Sequence, residues 1–281
     1  MRIATYNVNS VRSRVARILD WMVREDVDVV AMQEIKCTEA QFPFDEFEAA
    51  GYQVVLHGLN QWNGVAIASR EAIQDVAVGF DGMPGFAKGL EGPDQPLEAR
   101  AIGATVGGIR IWSLYAPNGR ALGDPHYDYK LDWYAALAAS TAEWMAANPD
   151  QPIALTGDFN VAPLDIDNGD PTVIEGVTTH VSEPERAAFG ELERIGLTDV
   201  VRPRVPEGLF TYWDYKQLRF PRNEGLRIDF ILGSHSFAER VVDAKIHREE
   251  RKGDGPSDHV PVTVDLQVDQ EEDDDDRPMI F

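Results

Sequence analysis

Short apolar runs interrupted by helical periodicity, a Gly-Gly hairpin signal, and the lack of strict strand and helix alternation point to an α/β chain of α+β type. Mixed sheets covered by helices are expected. The first two apolar runs, 3–8 and 27–32, bracket Val11, Val15, Ile18, Leu19, Met22 and Val23, whose spacing of three and four marks one helical face. Ser10 or Asn9 is the candidate cap of that helix, and Asp26 its stop. Further strands are expected at 52–56, 64–69, 99–106 and 109–115, the last two joined through Gly107-Gly108. A helix over 127–147 then leads into a buried strand at 152–156. A helix over 185–195 and strands at 228–232 and 241–247 follow. After Pro261, alternation of Val260, Val262, Val264, Leu266 and Val268 with polar residues predicts a last strand with one buried face. The boundaries expected are one domain over 1–268 and an acidic tail over 269–281.

With 43% hydrophobic residues in 281 the chain can bury a core, which excludes a disordered polymer. No apolar run approaches the roughly 20 residues of a membrane span, and the N-terminus lacks a signal peptide's apolar stretch, so a soluble cytoplasmic protein is expected. The single cysteine, Cys37, rules out an internal disulfide and a cysteine-cluster metal site. Any metal must sit on oxygen or imidazole. A net charge of −22 should repel polyanions at long range. Its distribution tempers that forecast: 269–277 holds seven acids against one base, while Lys216, Arg219, Arg222 and Arg227 cluster elsewhere, as do Arg2, Arg12, Arg14 and Arg17. A basic face on an acidic body and ordinary solvated charge both fit this pattern.

The chemistry lies at the ends of the apolar runs. Asn7, Glu34, Asp158 and Asn160 each follow one, while Asp229 and the Asp258-His259 pair sit within or before one. One such Asp or Asn is usually a turn former or helix cap. Six together suggest strand ends that empty into a common crevice. Glu34 at the mouth of a buried strand needs a positive or hydrogen-bonding partner, and a divalent ion, Lys36 or an arginine would serve. In Leu-Thr-Gly-Asp-Phe-Asn, Gly157 permits close backbone approach, and Asp158 and Asn160 share a face, as suits activating a water beside a phosphoryl oxygen or forming an Asx turn. Asp229 could orient the His259 ring. No nucleophile elbow, P-loop, dinucleotide fingerprint or zinc spacing is present. The residues alone therefore suggest a hydrolase of phosphate esters assisted by magnesium or manganese.

The segments YNVNSVRSR (6–14), QEIKC (33–37), NGVAI (63–67), YAPNG (115–119), GDFNVAPLDID (157–167), WDYK (213–216), GLRIDFIL (225–232) and PSDHVPV (256–262) occur in order. On these motifs the chain resembles the exonuclease III family of abasic-site DNA endonucleases, within the endonuclease/exonuclease/phosphatase superfamily. The resemblance implies a four-layer α/β/β/α sandwich with two central sheets. It implies that Glu34 is the principal ligand of Mg2+ or Mn2+, with Asn7 nearby and Asp258 a second carboxylate. Asp158 would position or deprotonate the attacking water, and Asn160 would bind the phosphate or orient that base. His259, paired with Asp229, would stabilise charge on the phosphate, which Tyr115 and Asn118 would also face.

Substrate choice must come from other residues. By the same resemblance, Tyr212, Trp213, Leu226 and Ile228 would line a small pocket for a flipped sugar lacking its base, although core packing also accounts for them. Lys216, Arg219, Arg222 and Arg227, and more weakly Arg12, Arg14 and Arg120, would contact DNA. The expected activity is DNA repair hydrolysis of the phosphodiester 5′ to abasic sites in duplex DNA. Blocked 3′ ends, through 3′-phosphatase, 3′-phosphodiesterase and 3′ to 5′ exonuclease action, are further substrates. A monomer associated with the nucleoid while acting on DNA is expected. The rivals are a phosphatase of small or lipid phosphates and a non-catalytic DNA or clamp adaptor. Gln217-Leu218-Arg219-Phe220 is similar to a weak version of the peptide that docks on replication sliding clamps. The Glu271 to Asp276 acids extend past the resemblance, as a solvated tail or a strand that mimics DNA charge.

Overall fold

The computed structural model describes residues 1–90 and 95–267; the stretch expected as an acidic tail lies outside them. Its strands in chain order are β1 (Arg2–Asn7), β2 (Val29–Gln33), β3 (Gln53–His57), β4 (Val65–Ser69), β5 (Gln74–Val78), β6 (Ala101–Val106), β7 (Ile109–Tyr115), β8 (Ile153–Asp158), β9 (Thr198–Asp199), β10 (Asp229–Gly233), β11 (Val241–Ile246) and β12 (Val262–Leu266). Among the described residues they form two six-stranded sheets, β11-β12-β1-β2-β4-β3 and β5-β6-β7-β8-β10-β9. Each sheet is mixed: β1 runs parallel to β2 and β7 parallel to β8, while the other pairs are antiparallel. The hairpin expected between β6 and β7 turns on Gly107 and Gly108, both at positive φ, as a tight two-residue turn of matching twist requires.

Burial explains the layering. Ile3, Val29 and Ile67 of the first sheet meet Ile102, Ile111 and Ile231 of the second in the central core. The outer face of the first sheet is closed by α1 (Val15–Arg24) and α2 (Phe44–Ala49), through Ile18, Trp21, Met22 and Phe47. The outer face of the second is closed by α3 (Pro125–Ala147) and α4 (Glu183–Arg194), through Trp133, Leu137, Phe189 and Leu192. Helix, sheet, sheet, helix is the four-layer order expected. Because both faces of the central strands are covered, these read as continuous apolar runs. Two short helices, α5 (Arg219–Arg222) and α6 (His235–Ala238), complete the α-helices among the described residues.

Three local expectations need correction. On α1 Trp21 is buried together with the expected Ile18 and Met22, whereas Val23 is exposed. Neither Asn9 nor Ser10 caps α1: both sit at positive φ, Arg14 holds the cap position, and the Asn9 side chain is used elsewhere. The edge strand β5 was not anticipated, because it is largely exposed and lacks a clean buried alternation. No helix among the described residues is long and apolar enough to cross a membrane.

Candidate active site at the converging strand ends

Register brings the polar residues together. Asn7 ends β1 opposite Gln33, and Glu34 follows at φ 52°, a left-handed conformation unusual for a glutamate. In the second sheet Asp158 ends β8, opposite Tyr115 on β7 and opposite Asp229, the first residue of β10. Gly157 makes the approach of β8 to β7 possible, since a Cβ there would lie 1.9 Å from the Leu114 carbonyl oxygen.

Asn7, fully buried, is the hub. Its side-chain Nδ2 donates to Glu34 Oε1 at 2.8 Å and to Asp158 Oδ2 at 2.9 Å, and lies 3.4 Å from His259 Nε2. One amide thus ties an acid of the first sheet to an acid of the second. Ligand atoms of Glu34, Asp158 and His259 fall within 4.8 Å of one another, a spacing that suits one cation. Asn7 itself, expected near the metal, turns its NH2 to the acids, while its carbonyl oxygen accepts the Asn9 backbone N–H at 3.1 Å. It fixes the two acids relative to each other. Asp258, expected as a second carboxylate ligand, stands outside this group and accepts from Asn9 Nδ2 at 2.9 Å.

Electrostatics separates the roles. Burial opposes ionisation of Glu34, but Lys36, 2.7 Å away, and the Asn7 hydrogen bond hold its carboxyl below the usual range. Asp158 goes the other way: burial, reinforced by the charges of Asp229 and Glu34, raises its pKa despite the neighbouring His259. A carboxylate with such raised proton affinity suits a general base. Burial would favour neutral His259, yet Asp229, whose Oδ2 lies 2.8 Å from Nδ1, and Asp158 outweigh it and favour imidazolium. The second Asp229 oxygen is buried without a hydrogen-bond partner. Tyr115 stays protonated, through burial and the nearby Glu34 charge.

Beside this cradle Asn118 Nδ2 donates to Asn160 Oδ1 at 3.1 Å, and the Asn160 backbone N–H donates to Asp158 Oδ1 at 2.9 Å. Three residues here went unrecognised in the sequence. Lys130, fully buried on α3, donates to the Asn160 carbonyl at 2.7 Å, lies 3.4 Å from that of Asn118, and pairs with buried Glu185. Its signal was a lysine in register with the apolar Trp133, Tyr134 and Leu137. His180 places Nδ1 2.6 Å from the same Asn160 carbonyl and Nε2 3.4 Å from Asn118 Nδ2.

The expected substrate segment behaves differently. Only Tyr212 is partly exposed, its ring 4.9 Å from that of His259. Trp213 is buried in the central core, and Leu226 and Ile228 pack with Ala162 and Val181. They are core residues here. Arg219 is buried between Asp170 at 3.2 Å and Glu224 at 2.6 Å, and Arg227 is buried against Asp199 at 2.6 Å, so neither is free for phosphate. Arg222, Lys216, Arg12 and Arg120 are exposed. In the segment similar to the clamp peptide, the half-buried Phe220 ring lies 5.1 Å from that of Trp213 and 4.3 Å from the Arg248 guanidinium.

Residues 4–259 match the Endonuclease/Exonuclease/phosphatase family. Exodeoxyribonuclease III of Haemophilus influenzae is 28% identical, the alignment covering 95% of this chain and 100% of that protein. Among solved structures, the 3′ phosphatase NExo from Neisseria, bound to product DNA hairpin, superposes with a TM-score of 0.87 at 37% identity, covering 95% of this chain and 100% of that one. An AP endonuclease from Archaeoglobus fulgidus gives 0.84 at 33% identity with the same coverage. A match this long, on a fold with two helix-covered mixed sheets, means that the chain belongs to the endonuclease/exonuclease/phosphatase family, on its exonuclease III side.

Proposed function

We propose that the chain is a divalent-metal-dependent DNA repair nuclease that hydrolyses the phosphodiester 5′ to abasic sites in duplex DNA, with activity on blocked 3′ ends. The observation that carries this reading is the Asn7 hub, which draws Glu34, Asp158 and His259 from both sheets to one point beside Asn118 and Asn160. Phosphate diesters resist attack because their negative charge repels the nucleophile, so catalysis needs charge neutralisation and an aimed water. Glu34 would hold the cation, which when bound neutralises phosphate charge and acidifies water. Asp158, with its raised proton affinity, takes the proton of the attacking water. His259, held charged by Asp229, donates from Nε2 to a non-bridging oxygen as negative charge grows. Asn118 offers its amide to the same phosphate, while buried Asn160, with Nδ2 on the Ala116 carbonyl and Oδ1 accepting from Asn118, holds that amide in place. The bond between phosphorus and the 3′ oxygen breaks, and protonated Tyr115 stands near as donor to that oxygen.

A second reading, in which processing of 3′ ends dominates over abasic incision, is favoured by the burial of Trp213, Leu226 and Ile228, which leaves Tyr212 as the one partly exposed member of the expected sugar pocket. One assay separates the readings. Duplexes carrying an internal abasic analogue or a 3′-phosphate are incubated with protein and magnesium, with and without chelator. Chelator-sensitive incision at the abasic site supports the first, and phosphate release alone supports the second. Inert DNA beside hydrolysis of a small ester overturns both.

A further inference from the structure

We infer that Trp62 is a stacking platform for an unpaired nucleobase of the strand being cut, a specificity element that rests on the DNA reading above. A cleft of about 510 Å³ next to the cradle is lined by Glu34, Tyr115, Asn118, Arg120 and Trp62, so the metal-side acid and the phosphate-side amide open into the same space as this indole. Trp62 is 68% exposed. The other tryptophans are spent on packing: Trp21, Trp112, Trp133 and Trp213 are buried, and Trp144 stacks on Trp112 at 4.4 Å. A single exposed aromatic is ordinary on a protein surface; what distinguishes Trp62 is that it shares a cleft with Glu34 and Asn118.

The ring is not on a loose loop. The Trp62 N–H donates to Asn60 Oδ1 at 2.9 Å, and Asn63 Nδ2 donates to Glu98 Oε1 at 2.9 Å. The loop also accepts from the strand end that carries Glu34, with Lys36 N–H on the Asn63 carbonyl at 2.9 Å and Ile35 N–H on that of Gly64 at 3.2 Å. At Gly58 the approach is so close that a Cβ would lie 2.1 Å from the Cys37 carbonyl oxygen. The backbone that carries Trp62 is therefore tied to the strand end that carries Glu34.

In the same cleft, Arg120 is held at φ 60° while its backbone N–H donates to Asn118 Oδ1 at 3.1 Å, leaving its guanidinium exposed. Phosphate beside Asn118 and Arg120 leaves the attached or neighbouring base to meet Trp62. Every base has a π-face, so such stacking is tolerant of sequence but requires that a base be present and unpaired. The surface fits frayed or single-stranded nucleotides flanking the cut.

The test uses frayed duplexes that differ only in one base-free linker, moved through the nucleotides flanking the cut. Trp62→Ala should raise KM about 10-fold on the fully based strand, with kcat little changed, and Trp62→Phe should recover most of the loss. At one linker position the Trp62→Ala penalty should vanish. Indole emission of an Asp158→Asn protein should be quenched by the same DNA, and the quench should be absent in Asp158→Asn/Trp62→Phe. An equal penalty at every linker position, no penalty, or a quench that survives Trp62→Phe overturns the inference. If the unaltered protein cuts no DNA strand at all, the reading of the active site fails, and the inference fails with it.

Discussion

The Asn7 cradle and the segment from 210 to 232 are built from similar residues and use them in opposite ways. In the cradle, charged and amide groups are buried so that they face one another across two sheets. In the segment, Trp213, Arg219 and Arg227 are equally buried but face the protein's own interior, as core filler or as partners of Asp170, Glu224 and Asp199. Burial alone does not mark a functional group. What marks the cradle is raised proton affinity in an acid, an imidazolium in reach of it, and an open cleft alongside.

The contrast is sharpest at Asp158. Asp158→Asn should lower kcat about 1,000-fold while leaving the fold intact. Its stability effect has a defined sign. The folded protein binds the Asp158 proton more tightly than the unfolded chain does, so ionising this group in the fold costs stability as pH rises through its raised pKa. With divalent ions chelated, Asp158→Asn should raise Tm at pH 8 and leave it little changed at pH 4; a lower Tm at pH 8 contradicts this charge balance.

Lys130 and Glu185 lie between the two regimes, as core residues that hold Asn118 and Asn160. Lys130→Met strands Glu185 and should cost about 3–5 kcal/mol in urea unfolding, whereas Lys130→Met/Glu185→Leu should recover most of that stability. Neither should recover kcat, because the carbonyl contacts to Asn160 and Asn118 are gone. Full activity in the double variant removes Lys130 from the positioning of these amides. A smaller effect separates two neighbouring arginines. Arg219→Ala should cost about 1–3 kcal/mol by leaving Asp170 and Glu224 without their partner, with the salt slope of DNA binding unchanged. Exposed Arg222→Ala should leave stability within about 0.5 kcal/mol and reduce the salt slope by about one. The reverse pattern would return Arg219 to the DNA surface.

The smallest effect concerns acid. Burial, helped by Lys245, pushes the His247 pKa down to about 4. A depressed base contributes stability that is intact above its ordinary value near 6.5 and lost as pH falls from there through about 4. His247→Gln should flatten the Tm curve over that window; an unchanged curve locates the acid sensitivity elsewhere.

The strands and the polar residues at their ends were legible because register fixes them: a residue at either end of a buried run has one place to go. Asn7, Glu34, Asp158 and Asp229 follow that rule. Trp213 and Arg219 do not, because they lie in irregular chain, where apolar or basic character says nothing about which way a side chain turns. Asn9 shows the same limit at short range, since a good capping residue was taken instead by Asp258 and Lys36. Lys130 was hidden because its partners, the carbonyls of Asn118 and Asn160, come from distant loops.

The central claim is that acids from the two sheets serve one centre. A double-mutant cycle on kcat/KM for cleavage of an abasic duplex, with Glu34→Ala, Asp158→Asn and the pair, tests it directly. Residues that act as a unit predict a pair no more than about 10-fold worse than the poorer single variant. Losses that multiply would show that Glu34 and Asp158 work independently, and would contradict the single site.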